Sequence, residues 1–481
     1  MQAGFAMLCA GSIRAMNVQN ILLKNILDAC SGALGFYSIG YALAYGGVVG
    51  DTSTTFIGTT NYFFLFNVDN YINWFFQFAF AATAATIVAG TVAERCKLEA
   101  YFCYSFFLTA FVYPVVVHSV WDQQGFLSAF HTNPLWGIGM VDFAGSGVVH
   151  ITGGCTALVA AVVLGPRVGR FYNEHGQKLE EPGAFPPHSV ALQVLGTFLL
   201  WFGWYGFNPG STLGITGNGY GDIAALAAVT TTLSAATGCI SALLFNVMVI
   251  YILTGEEVFD LTMAMNGCLS GLVAITAGCS TVQPWAAICI GFVAGLIYFG
   301  ASKALIAVRV DDSVDAIPVH LANGVWGCIA VGFFADPNLV AAVYSSTGEK
   351  NSNGGVFYGD GALLACQICG VLFILGWVMA CMFPFFIMLR YLNMLRLDPI
   401  EELVGCDVSH HGGSAYNITG PSVIALQQFE MEKQARMMNR NRHRSNDSSA
   451  STTNNHHGHC DANDDDSVQI QPTLTITSEE A

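Results

Sequence analysis

Hydrophobic residues along this chain form long uninterrupted segments, separated by short polar stretches, from the first residue to about residue 396. A helix needs about 20 apolar residues to cross a bilayer core about 30 Å thick. Ten segments reach that length, and we predict a membrane-spanning helix at approximately 25–47, 73–93, 98–120, 141–165, 189–208, 222–252, 261–279, 285–305, 316–335 and 361–391. The pattern therefore predicts an all-α polytopic membrane protein.

The segment Met1–Ile13 is also apolar, but at a rise of 1.5 Å per residue it is too short to cross the membrane. It lacks the basic region and cleavage site of a signal peptide. We interpret it as the inner half of a first helix whose outer half is missing, so that the chain is truncated at its N-terminus.

Basic residues indicate how the helices are oriented. All of the 17 Lys and Arg residues except Lys350 lie on one side of the predicted membrane, in alternate loops, at the helix ends next to those loops, or in the C-terminal tail. Cytoplasmic loops carry the excess of Lys and Arg, so this side is predicted to be cytosolic. The C-terminus is then cytosolic too, and the outer loops are 48–72, 121–138, 209–221 and 336–358.

Composition excludes several classes of protein. With 53% hydrophobic and 10% charged residues, the chain is not a soluble globular protein. Much of the acidic charge behind the net −16 lies in the tail, and the absence of a basic patch with interleaved aromatics excludes nucleic acid as a partner. The 15 Cys show neither paired nor metal-type spacing, so we interpret them as small buried hydrophobic residues.

The hydropathy divides the chain into three parts. Residues 1–396 form the predicted transmembrane domain, and 397–424 a cytosolic regulatory segment in which Asp398 and Pro399 begin a helix. Residues 425–481 are rich in Ser, Asn, Asp and His and are predicted to be a disordered cytosolic tail. The run His456–Cys460 is typical of a solvated tract as well as of a metal-binding one, and we favour the former.

Two histidines lie deep inside apolar segments, where an ionisable group costs about 3 kcal/mol or more. His150 belongs to the Gly-rich stretch Asp142–Gly154 and His320 to Asp315–Gly324, and an aspartate precedes them by eight and five residues. They occupy the same place in each of two five-helix halves. Because each half has an odd number of helices, the second half crosses the membrane in the opposite direction, so the two halves form an inverted repeat. Position alone leaves open whether they ligate, conduct, relay protons or form an inter-helix hydrogen bond.

Aromatic residues gather at the outer helix ends. The stretch Trp201–Ser211 ends one helix, while Phe80 and Trp121 lie near the ends of two others. Aromatic belts at a membrane interface explain such a pattern. Aromatic faces next to a hydroxyl also form a vestibule for a small cation through cation–π contact.

Together these stretches resemble one known family. Asp142–His150, running on to Gly165, Pro166 and Arg167, is similar to the signature of the ammonium transporters, methylammonium permeases and Rhesus proteins. The resemblance continues through Ala93–Arg95, Trp204–Ser211, Ala274–Thr276, the His320 segment and Gly405–Gly413, the last being similar to the tail of plant and algal type 1 members. It covers residues 1 to about 416.

The resemblance implies a homotrimer of eleven-helix protomers with inverted five-helix repeats, the first helix being partial here. It implies a plasma-membrane protein that transports ammonium for nitrogen uptake and accepts methylammonium as an analogue. The protein is then expected to be neither an enzyme nor the holder of a cofactor.

The same resemblance implies a set of outer residues. Trp121 and Ser211 match the outer site that recruits ammonium, and Asp142 matches the carboxylate just below it. Phe80 and Phe207 match the two stacked phenylalanines that close the outer mouth.

Deeper residues follow in the same way. His150 and His320 match the twin histidines that line the pore, with Trp204 and Thr276 near them on its wall. Ser409 falls where related plant proteins carry a phosphorylated threonine that shuts the neighbouring subunit's pore, which implies a kinase acting on the C-terminal segment.

These residues suggest a mechanism. Cation–π contact and hydrogen bonding attract ammonium, and potassium is excluded because it has no hydrogen-bond donors. Deprotonation lets neutral ammonia pass an apolar lumen that a bare cation cannot enter. The proton moves separately through the imidazoles, which both donate and accept.

Two other functions compete with this hypothesis. A membrane haem protein would use His150 and His320 as axial ligands, although such proteins usually carry more histidines. A sensor with little flux would signal through the long tail.

Overall fold

The computed structural model describes residues 1–47, 54–59, 61–173, 176–217, 219–344 and 353–416. Within these ranges the chain is helical, and β-structure is limited to four isolated bridges. The predicted disordered tail and the run His456–Cys460 lie outside the described residues.

The helices follow the predicted segments closely. In chain order they are α1 (Gln2–Ser12), α2 (Val18–Gly35, continued through a π-helical turn to Tyr45), α3 (Tyr71–Thr91), α4 (Leu98–Trp121), α5 (Ser146–Leu164), α6 (Val190–Phe207), α7 (Tyr220–Thr254), α8 (Leu261–Ile275), α9 (Pro284–Ala307), α10 (Ile317–Phe334), α11 (Pro337–Tyr344), α12 (Ala362–Tyr391), α13 (Pro399–Val404) and α14 (Cys406–His411). Nine of the helices in the described ranges are long and apolar enough to cross a membrane, and α8 is a shorter apolar helix. The prediction of a polytopic helical protein is confirmed.

Helix α2 begins earlier than the predicted residue 25. Its first turns carry polar side chains, among them Asn20, Lys24 and Asp28, and all three are buried against neighbouring helices. The ammonium group of Lys24 donates to the carbonyl oxygen of Cys96 at 2.8 Å. These polar residues lower the local hydropathy, and only their tertiary partners allow them to lie inside the protein.

The short helix α1 packs closely on α6 through small residues. A Cβ atom on Gly4 would lie 2.8 Å from the amide nitrogen of Leu200, and one on Gly196 would lie 2.3 Å from that of Leu8. Small residues are what allow two membrane helices to approach this closely. With 11 residues, α1 spans about 16 Å, roughly half of a bilayer core.

Helices α5 and α10 both begin with a π-helical turn, at Ser146–Ile151 and Ile317–Ala322. The predicted start of α5 at residue 141 is therefore five residues too early. Gly145 makes the difference, because its φ of +104° keeps the residue before Ser146 out of the helical conformation, and a side chain there would press on Val149 and Trp121. Each π-helical turn contains one of the two predicted membrane histidines.

Candidate functional site

The histidines of the two π-helical turns meet at the centre of the helical domain. The Nδ1 atoms of His150 and His320 are 3.1 Å apart, and the rings are nearly parallel with centroids 5.1 Å apart. Both side chains are buried among the helices. Residues 170 positions apart in the chain thus form one pair, as the positions in two halves of the chain predicted.

This geometry constrains the protons on the pair. A hydrogen bond between two Nδ1 atoms needs one of them to carry a proton and the other to be bare. In a neutral pair the two rings are therefore opposite tautomers, and a proton moves along the contact when another proton binds the bare Nε2 of the donor ring and the acceptor ring releases its own Nε2 proton. The Nε2 atom of His150 is buried and has no hydrogen-bond partner among the described residues.

Two stacked phenylalanines lie next to the histidine pair. The ring centroids of Phe80 and Phe207 are 4.1 Å apart with an interplanar angle of 29°. The ring of Phe207 is 5.7 Å from that of His150, and both phenylalanines are buried. They separate the histidines from a cavity at one end of the domain.

That cavity, here called the outer cavity, has a volume of about 120 Å³. Its walls are formed by Tyr45, Asn73, Phe76, Gln77, Trp121, Phe130, Phe143, Ser211 and Leu213. The indole of Trp121 stands edge-on to Phe80, with ring centroids 5.6 Å apart. The hydroxyl of Ser211 donates to the carbonyl oxygen of Phe207 at 2.7 Å, so its lone pairs remain available to a donor in the cavity.

Asp142 does not line the outer cavity. Its carboxylate accepts hydrogen bonds from the backbone amides of Gly145, Gly147 and Val148, at 2.9–3.0 Å, and so caps the start of α5. Its own carbonyl oxygen accepts from the indole nitrogen of Trp121 at 2.7 Å. The structure thus places Asp142 behind the cavity wall, where it fixes both a histidine-bearing helix and the tryptophan.

Trp204 and Thr276 complete the wall beside the histidines. The indole nitrogen of Trp204 donates to the hydroxyl oxygen of Thr276 at 3.0 Å, and that hydroxyl donates to Leu272. The Trp204 ring lies nearly parallel to His150, 5.5 Å between centroids. Both side chains are fully buried, and their polar atoms are satisfied by each other.

On the far side of the histidines the space continues through two further cavities. A small one, lined by Phe5, Leu8, Thr86 and His320 among others, shares Asn266 and Val314 with a larger one of about 240 Å³. The larger cavity also contains Arg167, Arg170, Lys303, Asp312 and Asp315. Together with the outer cavity they mark a path across the domain that is interrupted by the Phe80–Phe207 pair and the histidines.

Asp312 is a residue that the sequence analysis missed. Its carboxylate accepts from the backbone amides of Val314 and Ile317, and so caps the start of α10 as Asp142 caps α5. Burial, together with the charge of Asp315, raises the pKa of Asp312 to about 6. The available signal was spacing: Asp312 precedes His320 by eight residues, the same interval as Asp142 and His150, whereas the prediction paired His320 with Asp315.

A buried ion-pair network, called here the arginine network, ties together the loops at the end of the domain where the larger cavity lies. The guanidinium of Arg167 forms two hydrogen bonds of 2.9 Å with Asp311, and it lies 3.5 Å from Glu94. Arg95 lies 3.9 Å from Asp311 and Arg14 2.7 Å from Glu94. Burial would raise the pKa of Asp311, but Arg95 and Arg167 outweigh it and hold that pKa well below its usual range.

The two C-terminal helices dock against this end of the domain. Asp398 and Glu401 form a capping box at the start of α13, which confirms the predicted helix start. The carboxylate of Asp407 accepts from the amides of Gln19 and Asn20 at the beginning of α2, at 3.0–3.1 Å. Ser409 is half-buried, and its hydroxyl donates to the carbonyl oxygen of Gly405 at 2.9 Å.

A bundle of apolar helices with a narrow path through its centre, closed by aromatic rings and lined by a histidine pair, defines a membrane transport protein for a small solute. The comparisons with known proteins give the family. The sequence profile of the Ammonium Transporter Family matches residues 1–416. The chain is 45% identical over 422 residues to putative ammonium transporter 1 member 5 of Arabidopsis thaliana, covering 85% of this chain and 82% of that relative.

Other relatives agree. Identity is 44% over 422 residues to ammonium transporter 1 member 1 of Solanum lycopersicum, again with 85% and 82% coverage. Among solved structures, the chain is similar to the Sensor Amt Protein, with a TM-score of 0.70, 32% identity and coverage of 85% and 94%. Mep2 of Saccharomyces cerevisiae gives a TM-score of 0.71, 26% identity and coverage of 82% and 85%. The chain belongs to the ammonium transporter family, and it transports ammonium across a membrane rather than catalysing a reaction as an enzyme.

Proposed function

We propose that ammonium is recruited in the outer cavity, transfers a proton to water in that cavity, and passes as neutral ammonia between Phe80 and Phe207 and along the histidine pair. The observation that carries this proposal is the contact of 4.1 Å between the two phenyl centroids. Rings stacked at that distance are in contact and must move apart for any solute to pass, and a cation would pass them only after exchanging its hydration shell for apolar surfaces. A neutral ammonia molecule avoids most of that cost.

Recruitment rests on the groups that surround the outer cavity. The aromatic face of Trp121 attracts a cation, and the hydroxyl oxygen of Ser211 accepts one of its hydrogen bonds. Ammonium donates four hydrogen bonds while potassium donates none, so oriented acceptors favour ammonium over an ion of similar size. Asp142 supports the site indirectly, through the Trp121 indole and the start of α5.

The proton takes a separate route. The contact of 3.1 Å between His150 and His320 offers a donor and an acceptor side by side, and imidazole exchanges protons near neutral pH. Trp204 and Thr276 hold the wall beside the pair. On this proposal the proton crosses through the imidazoles while ammonia moves along the apolar lumen.

Uptake of labelled methylammonium by cells that lack their own ammonium transporters tests the proposed substrate handling. Uptake that saturates, and that ammonium suppresses by competition, is expected. Binding without measurable uptake would instead support a low-flux sensor, the alternative to which the similarity to the Sensor Amt Protein lends weight. A haem-type absorbance band in the purified protein would overturn the assignment of the histidines.

We further propose that the working form is a homotrimer in the plasma membrane. One supporting observation concerns the exposed faces of α6 and α7. There the hydroxyls of Tyr205 and Thr232 form an exposed hydrogen bond of 2.7 Å, and Phe202 of α6 is exposed as well. Polar groups facing lipid are costly, so a second protein surface over them is favourable. Native mass spectrometry of the detergent-purified protein would give three chains per particle.

The remaining proposals concern the cytosolic side. The bias of basic residues supports a cytosolic location for the arginine network and for α13 and α14. We propose that a kinase phosphorylates Ser409 and so closes the transporter. Asp407 supports this, since a phosphate two residues away would repel the carboxylate that holds α14 against α2.

A further inference from the structure

His118 is a fully buried histidine at the end of the domain where the outer cavity lies. It belongs to the last turn of α4, and its Nδ1 atom is 2.8 Å from the carbonyl oxygen of Ala44, near the end of α2. Its Nε2 atom contacts the carbonyl oxygen of Thr54, in the loop between α2 and α3. One side chain thus joins the ends of two helices and a loop.

Both contacts require a proton on the ring nitrogen. A backbone carbonyl oxygen only accepts hydrogen bonds, whereas a neutral imidazole has one N–H and one bare nitrogen. A neutral His118 would therefore direct a lone pair at the carbonyl oxygen of either Ala44 or Thr54, in a buried place where that repulsion is poorly screened. The doubly protonated ring donates to both oxygens at once.

The surroundings favour a positive charge on this ring. The last carbonyl groups of a helix carry partial negative charge, and both α2 and α4 end here. The carboxylate of Asp122 lies 4.0 Å from Nδ1 and is the acidic partner of His118 in the described part of the chain. The other titratable groups close by are phenols, which stay neutral below about pH 10: Tyr41 and Tyr45 on α2 and Tyr113 on α4.

The segments that His118 joins carry two parts of the outer cavity wall. Tyr45 follows Ala44 directly, Trp121 lies one turn beyond His118 on α4, and both side chains line the cavity. Asp122 follows Trp121 and is partly exposed, so it connects the buried ring with the solution outside. A change in the charge of His118 therefore alters the packing of the wall that faces the solute.

We propose that His118 is an imidazolium in the working transporter and that it positions Tyr45 and Trp121 for the recruitment of ammonium. The inference rests on the recruitment site proposed above. When the outer solution becomes alkaline, the ring releases a proton to water and loses one of its two carbonyl contacts. The recruiting arrangement of the wall is then populated less, and the apparent affinity falls in proportion.

The pH profile of the affinity tests this positioning role. Half-saturation concentrations for methylammonium uptake, normalised to surface protein, are measured for wild type and His118→Gln from about pH 5 to 8. In this range imidazoles change charge while methylammonium stays protonated. We expect the wild-type value to rise about three- to tenfold towards the alkaline end, as for loss of one hydrogen bond. In the neutral variant His118→Gln the value should be high throughout, without that rise.

Two further variants sharpen the test. His131→Gln changes a half-exposed histidine of the loop after α4 and should keep the wild-type profile. Asp122→Asn keeps an oxygen that accepts the amide of Gln124 but removes the charge that stabilises the imidazolium, so the rise should begin at a lower pH. This expectation holds even if His118→Gln fails to reach the cell surface.

The protonation of the ring is also open to direct measurement. In ¹⁵N NMR spectra of histidine-labelled protein, the signals that His118→Gln removes should come from two protonated ring nitrogens. One bare nitrogen there, a wild-type profile in His118→Gln, or an unshifted rise in Asp122→Asn would overturn the role of His118. Unchanged methylammonium affinity in Trp121→Leu would instead overturn the recruitment site itself.

Discussion

Asp142 and Asp312 hold equivalent positions in the two halves of the chain. Each precedes a central histidine by eight residues, and each carboxylate accepts backbone amides at the start of the π-helical turn that carries that histidine. The two histidines, His150 and His320, then meet at the centre. Two carboxylates, one in each half of the chain, thus fix the orientation of the helices that present the pair.

Replacing Asp142 by Asn is expected to lower the stability of the fold more than the affinity for ammonium. Three amide hydrogen bonds converge on the carboxylate, and each bond to a charged group contributes about 1.5–3 kcal/mol. The amide side chain supplies one acceptor oxygen and an NH₂ group that opposes the remaining amides. Thermal stability of the detergent-purified protein should fall clearly, with transport capacity reduced and the half-saturation concentration changed less than twofold.

Asp260→Asn serves as the comparison, because Asp260 caps α8 at a half-exposed helix start. Its effect on stability should be about 1 kcal/mol or less. A large loss of ammonium affinity in Asp142→Asn at wild-type stability would instead place the carboxylate in direct contact with the substrate.

Replacing Asp311 by Asn should destabilise the arginine network. Removing one partner of a buried pair leaves the other charge uncompensated, at a cost of about 3–5 kcal/mol. Arg170→Gln should cost much less, because Arg170 is partly exposed and lies 3.8 Å from Asp311. Melting temperatures of the purified variants measure the difference, and equal melting temperatures for Asp311→Asn and wild type would contradict it.

The same variant has a defined pH dependence. Because the pKa of Asp311 is lowered in the folded state, its stabilisation is fully present above the ordinary carboxyl pKa of about 4. It is lost only as the pH falls through the lowered value. The stability gap between wild type and Asp311→Asn should therefore stay constant from about pH 5 to 8 and narrow below about pH 4, and a gap that changed across the neutral range would contradict the assignment.

The membrane-spanning helices were predictable because each one is a long, continuous run of apolar residues that is visible in the sequence. The start of α2 was not, since Lys24 interrupts the apolar run just before residue 25, and the carbonyl oxygen of Cys96 that pairs with it is brought there only by the fold. The carboxylate before His320 was misassigned for a related reason: Asp312 and Asp315 are both close in sequence, and only the backbone geometry selects the one that caps the helix. The outer residues, the stacked phenylalanines and the histidines came from a resemblance, and spacing alone would have left their roles open.

Replacing Ser409 by Asp should abolish or strongly reduce transport. The added negative charge lies beside Asp407, whose carboxylate holds α14 to the start of α2, and repulsion would loosen that contact. In Ser409→Asn the new side chain has the shape of Asp without its charge. This variant should retain most activity, as should Ser409→Ala. Methylammonium uptake normalised to surface protein is the measurement, and wild-type transport by Ser409→Asp would refute the switch.

The central claim is that the histidine pair relays protons, and one experiment on His150→Ala tests it most directly. Ammonium-driven flux and potassium permeability are recorded together in liposomes containing the purified variant. The account predicts that proton-coupled ammonium flux falls by at least tenfold, while potassium leakage appears because the new space admits a partly hydrated cation. Unchanged ammonium flux with undiminished selectivity against potassium would contradict the proposed relay through His150 and His320.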